Sequence, residues 1–153
     1  MGISERIDPQ SRVAFQATLH CFTGCAIGEV AGMAIGTALA WNNAPTIAIS
    51  IALAFVFGYA LTMRGLLAGG MAPRQALRIA LAADTVSVAT MEIVDNLLIL
   101  VIPGAIDATL SQPLFWGSLA LSLAVAFVAA LPVNRWMIGR GKGHAVAHAH
   151  HAH

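Results

Sequence analysis

Apolar residues run along this chain in four long blocks, 14–40, 46–67, 74–102 and 114–138, separated by short stretches rich in proline, asparagine and arginine. Each block supplies the roughly 20 mostly apolar residues that a helix needs to cross a bilayer. The pattern predicts an all-α fold: a polytopic membrane four-helix bundle with short connections. Residues 1–13 read as an N-terminal segment, 14–138 as the four-span domain and 139–153 as a histidine-rich tail.

Five of the six prolines sit at the predicted boundaries: Pro9, Pro45, Pro73, Pro103 and Pro113. Proline suits a first helical turn and stops a helix that reaches it. Pro132 alone falls inside a block. The first block is not read as a signal peptide, although Ala38-Leu39-Ala40 has the small residues of a cleavage site. About 40 residues are too many for one, and a signal core would not carry His20, Cys21, Cys25 and Glu29.

Charge sets the expected orientation. Arg6 and Arg12 precede the first block, Arg64, Arg74 and Arg78 flank the middle connection, and Arg135, Arg140 and Lys142 follow the last block. The other two connections have no Lys or Arg, so the positive-inside rule places both termini and the middle loop in the cytoplasm. The composition agrees with a membrane partner: 58% hydrophobic, 10% charged, mean hydropathy +0.78. A net charge of +1 without a basic stripe excludes the usual nucleic-acid footprint. Two cysteines make no disulfide framework.

Candidate chemistry lies inside the blocks. The first carries two rows at a spacing of four, Gly24-Gly28-Gly32-Gly36 and Cys21-Cys25-Glu29-Met33, with His20 beside the second row. Such rows lie along one helix surface. Glycine at every fourth position lets another backbone approach closely, so the sulfur and carboxyl row should border a helix contact. In the third block Asp84, Met91 and Asp95 fall within an arc of about 40°, with Glu92 and Asn96 on the adjoining flank. A carboxylate at mid-membrane costs roughly 3 kcal/mol, which marks Glu29 and its counterparts as functional, protonated or paired.

Both blocks run in the same direction, so Glu29 and Glu92 should be level near the midplane. Cys21 and Cys25 are then expected beside Asp84, and Met33 beside Asp95 and Asn96. Four acids together would cost on the order of 10 kcal/mol if ionised and unpaired. No lysine or arginine lies among them. A cation, a proton or water is the expected partner, and sulfur with imidazole turns the choice toward copper first and zinc second.

In the tail, His144, His148, His150, His151 and His153 form a weak, exchangeable secondary metal tract. The second and fourth blocks contribute no charged groups to the interior and read as walls. Tyr59, Trp41, Trp116 and Trp136 read as interface anchors or packing.

The motifs His20-Cys21-x-x-Gly24-Cys25-x-x-Gly28-Glu29-x-x-Gly32-Met33 and Asp84-Thr85-x-Ser87-x-x-x-Met91-Glu92-x-x-Asp95-Asn96 resemble those of a family of small bacterial four-span membrane proteins catalogued as a domain of unknown function. The resemblance covers residues 18–140 and implies a bacterial inner membrane but no activity. The functional expectation therefore rests on site chemistry: a protein that binds or translocates a transition-metal cation. Cys21, Cys25, Met33 and Met91 would supply sulfur, and Glu29, Asp84, Glu92 and Asp95 carboxylate ligation or proton exchange. His20 would be an inner-gate ligand, and a homo-oligomer would close the path.

Three alternatives stay open at this stage: a proton-coupled carrier or channel using the acids, an accessory or assembly subunit, and a membrane thiol oxidoreductase. The last is weakened because the usual redox pair is separated by two residues at a helix N-terminus. No enzyme activity and no organic cofactor are expected. A two-histidine haem site is disfavoured, since His20 is the one histidine outside the tail.

Overall fold

The computed structural model describes residues 9–140. Four helices follow one another: α1 (Pro9–Ala38), α2 (Asn43–Ala68), α3 (Pro73–Val101) and α4 (Pro113–Gly139), with one 3₁₀ turn, Ala105–Asp107, between the last two. The histidine tail, Arg6 and Lys142 lie outside the described residues. Proline opens α1, α3 and α4, where its missing N–H is no loss because the first turn has no acceptor for it.

The two tight turns end their preceding helices by the same device. Trp41 N–H donates to Gly36 O at 2.8 Å and Ala40 N–H to Thr37 O at 3.2 Å, while Met71 N–H donates to Leu66 O at 3.2 Å and Gly70 N–H to Leu67 O at 3.0 Å. Both are Schellman closures, which need a left-handed residue. Gly70, at φ 87, takes that conformation without a side-chain penalty, whereas Ala40 is held at φ 54. This is why α1 stops at Ala38 and not at residue 40, the expected end of the first block.

The helices run up and down, each packed on its sequence neighbour, with α1 also against α4. Across the bundle α1 touches α3, while α2 and α4 have no comparable contact. The closest pair is α1 on α2. The glycine row of α1 lies against Thr46, Ser50, Ala54 and Gly58 of α2, in reversed order because the helices are antiparallel. A methyl group added to Gly24 would sit 2.7 Å from Gly58 N, and one on Gly28 would fall on the backbone of Ala54. Nothing larger than hydrogen fits at these contacts.

Polarity is arranged inside out. Val128 is 68% exposed and Val101 74%, while Asp84, Ser87, Ser122 and Asn134 are each 0%. A water-soluble protein buries the first kind and exposes the second. Three helices, α1, α2 and α4, are long and apolar enough to cross a membrane. α3 is as long, but Asp84, Glu92 and Asp95 within it are turned inward, and Leu81, Ile93, Leu97 and Leu100 face outward.

Candidate functional site

The interior of the bundle is built where the second row of α1 meets α3. The glycine row fixes α1 against α2, and the adjoining side chains, one helical step round, are thereby aimed across the bundle. Cys21 and Cys25 are 1% and 0% exposed.

At the end of the bundle where α1 starts and α4 finishes, Asn134 of α4 donates through Nδ2 to Thr18 Oγ1 at 2.8 Å and to Ser87 Oγ at 3.0 Å. One amide thus ties together α1, α3 and α4. A helical turn further along, the Cys21 thiol donates to Asp84 Oδ1 at 3.8 Å. Beyond it the Cys25 thiol faces the Glu92 carboxyl, which also meets that of Glu29. Asn96 Nδ2 donates to Glu92 O at 2.8 Å and to Oε2 at 3.4 Å. Asp95, on the next face of α3, accepts a very short hydrogen bond from Ser122 Oγ of α4. One carboxyl oxygen each of Glu29, Glu92 and Asp95 is buried without a hydrogen-bond partner.

The matched depth of Glu29 and Glu92 follows from parallel helices of equal rise, and the two glutamates do meet. Other expectations need correction. Cys25 is not beside Asp84 but one turn beyond, at Glu92, because residues four apart on α1 are about 6 Å apart along its axis. Met33 shares a cavity with Asn96, while Asp95 turns away toward α4. His20 is exposed and takes no part in the interior set, since it precedes Cys21 by one residue and so points about 100° away from it. Met91 is 0% exposed and packs in one cluster with both cysteines, with Met33 at its border.

Among the described residues, no three His, Cys, Asp or Glu side chains converge as a metal cage does. Each thiol is set against a carboxyl of its own instead. Asp84, Glu92 and Asp95 are buried within the chain, and Glu29 is half-buried.

α4 is more than a wall. Ser122 and Asn134 belong to a row at a spacing of four, Ser118-Ser122-Ala126-Ala130-Asn134, whose members are all buried. That spacing of small and polar residues was the signal that could have found them.

These features define the class: an all-α membrane protein with an acidic, thiol-bearing interior. The chain belongs to DUF4396, a family defined by a domain of unknown function, which matches residues 11–143. No curated protein and no solved structure matches it.

Proposed function

We propose that the chain is a four-span protein of the bacterial inner membrane, with both termini cytoplasmic, whose interior acids take up and pass on protons. The observation that carries this reading is the pairing of Cys21 with Asp84 and of Cys25 with Glu92 and Glu29, in a column along α1 and α3. A column of thiols and carboxyls that hydrogen-bond one another is suited to proton exchange, because each group can donate in one state and accept in another. Neither of the two stretches that form it, 18–33 and 79–96, contains a lysine or arginine. The inward turn of the α3 acids supports a fourth span, since Leu81, Ile93, Leu97 and Leu100 then lie on its outer face. Reporter fusions at Asn43 and Thr109 should read outside, and one at Gly69 inside.

A transition metal is the second reading, favoured by the shared burial of Cys21, Cys25 and Met91, a sulfur set that suits Cu(I) before zinc. Reconstituted vesicles with an internal pH dye separate the two. On the proton reading, replacing both cysteines by serine leaves most of the flux, and Glu29→Gln lowers it about 100-fold, the loss of one obligatory exchange group worth about 2.7 kcal/mol. On the copper reading, the double serine variant loses tight Cu(I) binding in protein whose tail histidines are replaced by alanine. Wild-type vesicles without proton flux end the first reading. Wild-type protein that binds no more Cu(I) than the serine variant ends the second.

A further inference from the structure

The described arginines all stand at one end of the bundle, where α1 starts and α4 finishes: Arg12 on α1, Arg64 on α2, Arg74 and Arg78 on α3, and Arg135 and Arg140 on α4 and its close. Arg135 and Arg140 share a groove on the exposed side of α4, lined also by Gln10, Pro132, Trp136 and Gly139. Its volume is about 460 Å³, within the range of small-ligand sites.

The spacing of residues shapes the groove. Pro132 and Gly139 lie about 20° apart around the helix, with Arg135 to one side of them and Trp136 and Arg140 to the other. Two small residues thus leave space between two arginines. Gly139 also lets Gln10 form one wall. A methyl group at Gly139 would sit 2.8 Å from Gln10 Nε2, which donates to Arg135 O at 2.9 Å and ties the start of α1 to α4. The Arg140 guanidinium carbon lies 5.1 Å from the centre of the Trp136 ring, a cation–π contact that places its charge.

Charge and polarity in the groove point one way. Its side chains offer two guanidiniums, an indole N–H and one amide, and no carboxylate. Each guanidinium carries five N–H donors, so an arginine already engaged within the protein still has donors for a phosphate. Deeper in the membrane the same side of α4 is apolar. Leu121, Val125 and Val128, exposed at 55%, 41% and 68%, lead in steps of four and three to Pro132. That track is about 16 Å long, close to one leaflet's half of a hydrocarbon core about 30 Å thick.

We infer that the groove holds an anionic phospholipid, its phosphate between Arg135 and Arg140 and one acyl chain along Leu121, Val125, Val128 and Pro132. The inference needs only that α4 crosses the membrane, and it is independent of whether the interior carries protons or copper. A zwitterionic lipid fits the same track, but its ammonium offsets the charge that the two arginines recognise.

The test is quenching of Trp136 fluorescence by phospholipids with brominated acyl chains, in full-length protein in detergent micelles, with Trp41→Phe and Trp116→Phe leaving Trp136 as the reporter. Phosphatidylglycerol should half-quench at a concentration about 25-fold lower than phosphatidylcholine does, about fivefold for each arginine. Arg140→Gln should raise that concentration about fivefold, and Arg135→Gln with Arg140→Gln should raise it to the phosphatidylcholine value. Arg74→Gln should leave it within about twofold, because salt screens a charge on another helix. Pro132→Phe, which fills the groove and keeps both charges, should raise it at least as much as Arg140→Gln. Glycerol 1-phosphate in large excess should not displace the lipid, since it has no chain for the track. Equal half-quenching by the two lipids, or a double arginine variant that still prefers phosphatidylglycerol, overturns the inference. So does an Arg74→Gln effect as large as that of Arg140→Gln, the mark of diffuse attraction, or displacement by glycerol 1-phosphate, the mark of a free-phosphate site. If the double variant does not fold, unchanged quenching in Pro132→Phe overturns it. A protein that shows the lipid preference but neither proton flux nor copper binding ends the proposed functions and leaves the lipid site standing.

Discussion

Two faces of α1 lie side by side and behave as different materials. The glycine row meets α2 through backbone contact, with Gly24 against Gly58 and Gly28 against Ala54 and no charged group anywhere along it. The neighbouring row meets α3 through thiols and carboxyls that touch one by one, Cys21 to Asp84 and Glu29 to Glu92. In lipid no hydrophobic force drives helices together, so close packing must supply the association. The first face supplies it, and the second can then keep polar groups buried with oxygens unpartnered. Stability and chemistry are separated by one residue of helical rotation.

That separation can be broken first on the packing side. Gly28→Leu should destabilise the bundle by about 3 kcal/mol, the upper range for overpacking, because its side chain meets the Ala54 backbone and has no space to turn into. Denaturant titration in micelles reads this directly, and a loss under about 1 kcal/mol would show that the two rows do not carry separate duties. On the chemical face, Glu92→Gln should slow proton flux about 100-fold, equivalent to about 2.7 kcal/mol in barrier, while leaving the unfolding midpoint within a few degrees of wild type. A variant that unfolds instead would recast the acids as structural.

Smaller effects sharpen the boundary. Asn134→Leu removes both hydrogen bonds to Thr18 and Ser87 and should cost about 1 kcal/mol, given ~0.6 kcal/mol for an average interhelical hydrogen bond in a membrane. Ala40→Gly should gain a comparable amount, about 1 kcal/mol, by relieving the left-handed alanine in the first turn. Ser122→Ala should cost the least, about 0.6 kcal/mol, and shift the infrared carbonyl band of Asp95 as its hydrogen bond is lost.

Much of the architecture was legible because a bilayer imposes simple rules. Block length marked the four helices, proline marked their starts, and the rows at a spacing of four marked which faces meet. The match of Glu29 with Glu92 was legible too, since two parallel helices rise equally per residue. Less was legible on α4. Its Ser122 and Asn134 lie in a helix whose charges are confined to the end, and a lone serine or asparagine in an apolar run gives no strong signal by itself. Only the row from Ser118 to Asn134 tells them from filler, and only the partners Asp95, Thr18 and Ser87 give them a use.

By itself the sequence determined the helices and the burial of the acids, because length, apolarity and periodicity are local properties of the chain. Tertiary structure decided the pairing. Whether Cys25 meets Asp84 or Glu92, whether His20 joins the interior or faces out, and whether Met33 ends beside Asp95 or in the cavity with Asn96 all depend on the rotation and axial offset of α1 against α3. Those are set by how deeply the glycine row seats on α2, a shape relation between two helices that no single stretch of sequence contains.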